Sequence, residues 1–311
     1  MDIFLQNMGT AGQQVLILYI MVLVGFIADK MKFFTENTAR KSNDLLFYVI
    51  TPCVIINSFL TTTFSTETIG GFLFAVLCSV FAHVVGIILS LPLFNKKGSP
   101  DSSIFKYACI YGNVGYMALP LANAVLGETG VFYCSGAVIV FNTLCFTHGI
   151  WLMNKGNKVK FSVKSVFMNP GVISVAIGLP LFLFSVELPD VIRQPIELIS
   201  NMNTPLAMLI FGTYLANTDL KTMFKIKEQY LIMFVRLIAV PLIVFGFCRL
   251  MNFPALLTTA CIISASAPSA ANTVMFAAKY DKDTAVASKV VALVSFASVI
   301  TLPMMIALTK Q

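Results

Sequence analysis

Two halves of this chain repeat each other, and that repetition limits its fold more than any other feature. Thr51-Pro52 lies in one apolar run and Thr204-Pro205 in another 153 positions later, and Gly25 is matched at the same offset by Gly178. Ala108-Cys109-Ile110 returns as Ala260-Cys261-Ile262 at an offset of 152. A bilayer core of roughly 30 Å takes about 20 mostly apolar residues per helix. Ten stretches meet that demand, near 13–29, 44–63, 71–94, 107–126, 131–153, 169–186, 195–216, 230–250, 255–278 and 285–308. Five fall in each half, and an odd number of crossings obliges the second copy to enter the membrane from the opposite side. The sequence therefore predicts an all-α membrane protein of ten transmembrane helices. Its two inverted five-helix repeats are expected at 1–153 and 169–311, joined by a short cytoplasmic linker at 154–168. Inverted repeats of this kind recur among secondary transporters.

Composition excludes the soluble alternatives. Apolar residues make up 58% of the chain and charged residues 11%, far below the roughly 25% charge of a globular domain. A net charge of +7 suggests nucleic acid at first sight, but 17 of the 21 basic residues follow odd-numbered spans, from Lys30 and Arg40 after the first to Lys279 and Lys282 after the ninth. By the positive-inside rule the odd-numbered loops are cytoplasmic. The chain is thus expected in the cell membrane, its lipid bilayer the solvent, with both termini outside and no nucleic-acid partner. No cleavable leader is expected, since the first residues lack a basic n-region. All seven cysteines fall inside expected spans with no close CxxC pair, which reads as small apolar packing.

Two spans do not read as ordinary membrane helices. The fourth carries Gly112, Asn113, Gly115 and Pro120, and the ninth Ser264, Ser266, Pro268, Ser269 and Asn272. Proline frees a backbone carbonyl and glycine loosens the helix, so both spans are expected to be interrupted near mid-depth. Freed groups are tolerated in hydrocarbon only where protein or a wet cavity surrounds them. Interrupted spans at corresponding places in two repeats mark a transporter's binding site. Either span alone would read as a simple kink with small residues at a helix contact.

At these residues the chain resembles the auxin efflux carrier superfamily, which includes plant PIN-type carriers and bacterial permeases labelled as malate or malonate transporters. Asn113-Val114-Gly115-Tyr116-Met117-Ala118-Leu119-Pro120-Leu121 with Gly127-Glu128-Thr129-Gly130 is similar to the family's fourth-span signature, Ala118 standing where a glycine is expected. Pro268, Asn272, Ala277, Ala278, Tyr280 and Ala287-Ser288 resemble its ninth span. The resemblance implies that spans one, two, six and seven form a scaffold. The others would form a mobile body in which broken spans four and nine cross, moving elevator-fashion to expose a site to each side in turn. It also implies a homodimer. The short linker departs from the plant type and favours a bacterial-type carrier.

A broken helix presents free N–H groups at a half-helix N-terminus, which attract an anion. The expected ligand is a small organic anion, a carboxylate such as malate. Asn113 offers amide donors while its carbonyl steadies the backbone. Gly115 belongs to the same break, Pro268 holds the second break open, Ser266 and Asn272 add polar contacts, and Tyr116 closes over the ligand or simply packs. Asn57 and Ser58 of span two, with Asn201 and Asn203 of span seven, either complete the pocket or join helices. His83 and Arg236 occupy equivalent repeat positions as charge partners. Arg236 either balances the anion or snorkels to the cytoplasmic surface. Neither a cofactor motif nor a metal motif is present, and without a phosphate-binding loop the energy must come from sodium, proton or potential gradients. An intramembrane lipid-modifying enzyme would need a carboxylate or histidine cluster that the sequence lacks. A non-transporting sensor would need a signalling segment.

Overall fold

The structure, a computed structural model, describes residues 2–95, 101–154, 168–219 and 221–309. The linker expected at 154–168 therefore lies, apart from its ends, outside the described residues. Among those residues the chain is all-helical, without strands. Its helices are α1 (Asp2–Lys30), α2 (Glu36–Thr61), α3 (Thr66–Leu93), α4 (Ser102–Ile110), α5 (Val114–Met153) and α6 (Pro170–Leu183). They continue with α7 (Asp190–Asn201), α8 (Asn203–Ala216), α9 (Glu228–Leu250), α10 (Ala255–Ala265), α11 (Asn272–Lys279) and α12 (Thr284–Thr309).

Six of these, α1, α2, α3, α5, α9 and α12, contain a segment long and apolar enough to cross a membrane. Four expected spans fall instead on shorter pieces: span four on α4 and the start of α5, span six on α6, span seven on α7 and α8, and span nine on α10 and α11. Spans four and five both fall in α5, in which two helices meet at a kink at Gly127, where φ is +66° and ψ −160° and a side chain would be strained. With nine residues α4 is about 13 Å long, under half the hydrocarbon core.

Proline shapes the long helices in a regular way. Wide π turns at Leu46–Ile50, Val114–Ala118 and Val235–Ala239 each end two residues before a proline, namely Pro52, Pro120 and Pro241. A proline supplies no N–H to the turn before it and its ring crowds that turn, so the helix widens there. The same device sets Arg236 within a wide turn.

Packing is tightest where glycine lets backbones meet. A Cβ on Gly25 of α1 would strike the Leu209 backbone of α8, and one on Gly212 of α8 would strike Val22 and Phe26 of α1. In a second pair, Gly178 of α6 lies on the ring of Phe59 of α2, whose ring also packs edge-on against Phe72, Phe132 and Phe182. The ends of α1 and α8 meet: Lys30 Nζ donates to Ala216 O at 2.8 Å, a cation at a helix C-terminus, and Asn217 Nδ2 donates to Asp29 Oδ1 at 3.0 Å. Asp101, Glu228, Lys282 and Asp283 gather at the ends of α4, α9 and α12. There burial, with the charges of Asp283 and Glu228, pushes the Asp101 carboxyl up from its ordinary range.

Gly212→Val should force α1 and α8 apart and cost about 1–3 kcal/mol through overpacking. Gly246→Ala, whose Cβ meets nothing within 4 Å, should not lower stability and, inside a helix, should raise it by about 0.5–1 kcal/mol. Thermal unfolding of the detergent-purified variants reads both.

Candidate substrate site at two hydrogen-bonded helix breaks

Between α4 and α5 the chain leaves the helix at Tyr111, Gly112 and Asn113, and between α10 and α11 it does so from Ser266 to Ala271. The two interruptions lie against each other, with Gly112 opposite Ser269 in an antiparallel bridge. Asn113 N donates to Pro268 O at 2.6 Å and Ala270 N to Tyr111 O at 2.9 Å. Ser269 Oγ donates to Ala108 O at 2.7 Å, inside the last turn of α4. Each break thus supplies the partners that the other lost.

Arg236 completes this joint. Its Nε donates to Ala267 O at 2.9 Å and its Nη1 to Ile110 O at 3.2 Å, so one guanidinium fork holds a carbonyl from each break. The side chain is 2% exposed and, among the described residues, has no carboxylate within ion-pair reach. Snorkelling to the surface is therefore corrected: Arg236 turns inward, because carbonyls at half-helix C-termini carry the negative charge it needs. Gly112 makes room for it, since a Cβ there would collide with the guanidinium.

Asn113 works in two directions. Its backbone forms an inverse γ-turn (φ −78°, ψ 64°) in which Val114 N donates to Gly112 O at 2.9 Å. Its side-chain Oδ1 accepts from Tyr116 N at 3.3 Å and caps α5. The Gly115 N–H, between those two, has no partner among the described residues, and a Cβ on Gly115 would meet nothing within 4 Å. Asn113 Nδ2 also donates to no described group. An uncommitted N–H, an uncommitted amide and open space therefore coincide at a helix N-terminus. Tyr116 is half-buried and reaches toward Asn43 of α2 and Tyr214 of α8, so this opening lies along the seam between α5 and those helices.

The other candidate residues are placed as follows. Pro268 lies in the second break and gives its carbonyl to Asn113. Ser266 is fully buried and its Oγ has no partner among the described residues. Asn272 begins α11 and its Nδ2 donates to Cys145 Sγ at 3.7 Å. Ser58 donates to Ile55 O at 2.7 Å within its own helix, which spends its hydroxyl on the backbone. Asn57 is buried with Oδ1 unpartnered. Asn201 and Asn203 do not meet Asn113. They line a cavity of about 290 Å³ further along α5, shared with Pro120, Asn123, Glu128 and Thr204. His83 is buried with Nδ1 2.7 Å from Ser79 O, and with Arg236, Ser79 and Ser264 it lines a void of about 20 Å³, room for one water.

Sequence reasoning missed three features. Tyr111 anchors the first break to the C-terminal part of α5, its hydroxyl 3.0 Å from Leu144 O and 2.8 Å from His148 Nδ1. Glu128 sits at the cavity of Asn201, although its position in the fourth-span signature marked it. Cys78, Cys248 and Cys261, from α3, α9 and α10, bring their sulfurs within 4.8 Å of one another, a soft-metal donor set in geometry that no sequence spacing could reveal.

Apolar helices with their backbone breaks joined inside the protein are an architecture that multi-pass membrane transporters use. The chain belongs to the Membrane transport protein family, whose model matches residues 10–306, and so to the auxin efflux carrier superfamily. That family is one of transporters, not enzymes. The chain is similar to an uncharacterized transporter of Methanocaldococcus jannaschii, 24% identical over 278 residues that cover 86% of this chain and 89% of the relative. One from Methanothermobacter thermautotrophicus is 23% identical over 306 residues, covering 94% and 96%. A Rhizobium meliloti protein provisionally named a malonate transporter is 22% identical over 210 residues, 65% of each chain.

Gly112→Ala should displace the Arg236 fork and lower stability by about 1–3 kcal/mol, as overpacking does. Gly115→Ala, three residues on, should have no comparable effect. Thermal unfolding of both variants in one detergent makes the comparison.

Proposed function

We propose that the protein is a secondary carrier of small dicarboxylates of the malonate and malate type, working in the cell membrane by an elevator movement. The observation that carries this reading is the uncommitted Gly115 N–H beside the Asn113 amide, at the positive end of α5 with Arg236 behind it. A carboxylate accepts from N–H groups, and a helix N-terminus favours its charge. The name of the Rhizobium meliloti relative supports the same substrate class.

Ten crossings in two inverted repeats, 1–153 and 169–311, suit the packing. Gly25 meets Gly212 and its neighbours, while Gly178 meets Phe59; the offset of 153 relates Gly25 to Gly178 and Phe59 to Gly212, so the two contacts correspond with the halves exchanged. The meeting of Lys30 with Ala216, and of Asp101 with Glu228 and Asp283, suits odd-numbered loops on one side, which puts both termini outside. In this reading α1, α2, α6, α7 and α8 are the scaffold, and the joined breaks travel with α3, α9 and α12. The 290 Å³ cavity between α5 and α2, α7 and α8 lies on the sliding seam, with Asn201 and Asn203 on the scaffold side. Pro268, Ser266 and Asn272 shape the second break, Asn57 and Ser58 face the seam from α2, and two copies form the dimer through the scaffold.

Liposomes containing the purified protein should take up labelled malonate saturably, with unlabelled malate competing. Gly115→Leu, which fills the open space, should abolish uptake and leave thermal unfolding unchanged. Normal uptake by Gly115→Leu, or no response to any mono- or dicarboxylate, would sink the reading.

A further inference from the structure

We propose that Arg236 holds the coupling-cation position of the helix crossing, so that this carrier works without a sodium ion there. The proposal rests on the carrier reading and adds to it the identity of the driving charge.

Carriers built on discontinuous helices coordinate sodium through unwound backbone carbonyls and half-helix C-terminal ends, where the partial charge is negative. Here Ile110 O closes α4 and Ala267 O follows α10, one from each break. Both are already held by one side chain, at 3.2 Å and 2.9 Å. The guanidinium cannot be deprotonated at working pH, is 2% exposed, and faces no carboxylate within ion-pair reach among the described residues. Its charge is therefore balanced by backbone dipoles alone, the environment that a bound sodium would otherwise have. Gly112 gives independent support. Its φ is not positive, so the backbone conformation does not require glycine, and its missing Cβ leaves room first for the Arg236 guanidinium and next for the Ala267 carbonyl that the guanidinium holds. The remaining space beside the fork, about 20 Å³, takes one water.

A tethered cation differs from a diffusible one in its consequences. It crosses with the joined breaks on every cycle, loaded or empty, and it cannot be exchanged for a gradient. Transport then draws on the anion's own gradient, the potential or protons, and sodium concentration drops out of the rate.

The decisive measurement needs no substrate. The melting temperature of purified, ligand-free protein is compared in sodium chloride and choline chloride at equal ionic strength. Wild type should melt at the same temperature in both. Arg236→Ala, which uncovers the carbonyl pair, should melt lower in choline and be raised specifically by sodium, since an ion that binds only the folded state stabilises it. Arg236→Lys should restore the melting temperature without sodium sensitivity, an outcome that a purely structural arginine would not produce. A sodium-specific rise in wild type, or an Arg236→Ala variant that folds and ignores sodium, overturns the proposal. Should Arg236→Ala not fold, Arg236→Gln takes its place, losing the charge but keeping an amide. Malonate uptake into sodium-free liposomes should equal uptake with sodium, and a sodium requirement there overturns the proposal as well. Absence of any carboxylate uptake would defeat the carrier reading while leaving the melting comparison intact.

Discussion

Backbone groups released from a helix inside hydrocarbon must find partners, and the structure is organised by how they do so. An unpartnered amide or carbonyl there costs several kcal/mol, and two broken spans release several of each. The carbonyl side is closed from within: Pro268 O, Tyr111 O and Ala108 O accept from the opposite break, and Ile110 O and Ala267 O accept from Arg236. The N–H side is closed only partly, by the Asn113 γ-turn and cap, which leave Gly115 uncovered. In the proposed reading, satisfied carbonyls beside an open N–H leave the joint suited to an anion.

Placing these groups depends on helices that never touch a ligand. Arg236 reaches both breaks because α9 opens into a wide turn ahead of Pro241, which shifts its register against α4 and α10. The wide turn Cys145–Gly149 of α5 holds the breaks from the other side: Tyr111 and Tyr107 from the first, Asn272 from the second, all hydrogen-bond within it or beside it. Gly112 is the point where the two supports converge, and its lack of a side chain lets the fork lie on the backbone.

Much of the fold was legible because membrane helices advertise themselves by length and hydropathy. The breaks were legible because glycine, asparagine and proline accumulate where a helix cannot continue. The spans that carry Asn113 and Pro268 could be matched from their places in the chain alone. Arg236 could not be read, since the same residue type several positions into a span serves equally for snorkelling and for capping a carbonyl. Its direction depends on a wide turn and on a break 126 residues away. Ser58 likewise could not be separated from a binding serine, because its bond to Ile55 O is a rotamer choice. The cysteine cluster joins three helices at no regular spacing.

The proposed repeat also explains why the two halves are not chemically alike. The offset that relates Gly25 to Gly178 relates His83 to Arg236, and both side chains border the same void of about 20 Å³. Two permanent cations facing one water-sized hollow in a low-dielectric interior would repel strongly, whereas one fork already reaches a carbonyl from each break. The mate position must then hold a group that can stay neutral, and an imidazole with Nδ1 on the Ser79 carbonyl meets that requirement. In the proposed repeat, symmetry of the backbone thus forces asymmetry of charge, and the joined breaks carry one fixed positive centre rather than two.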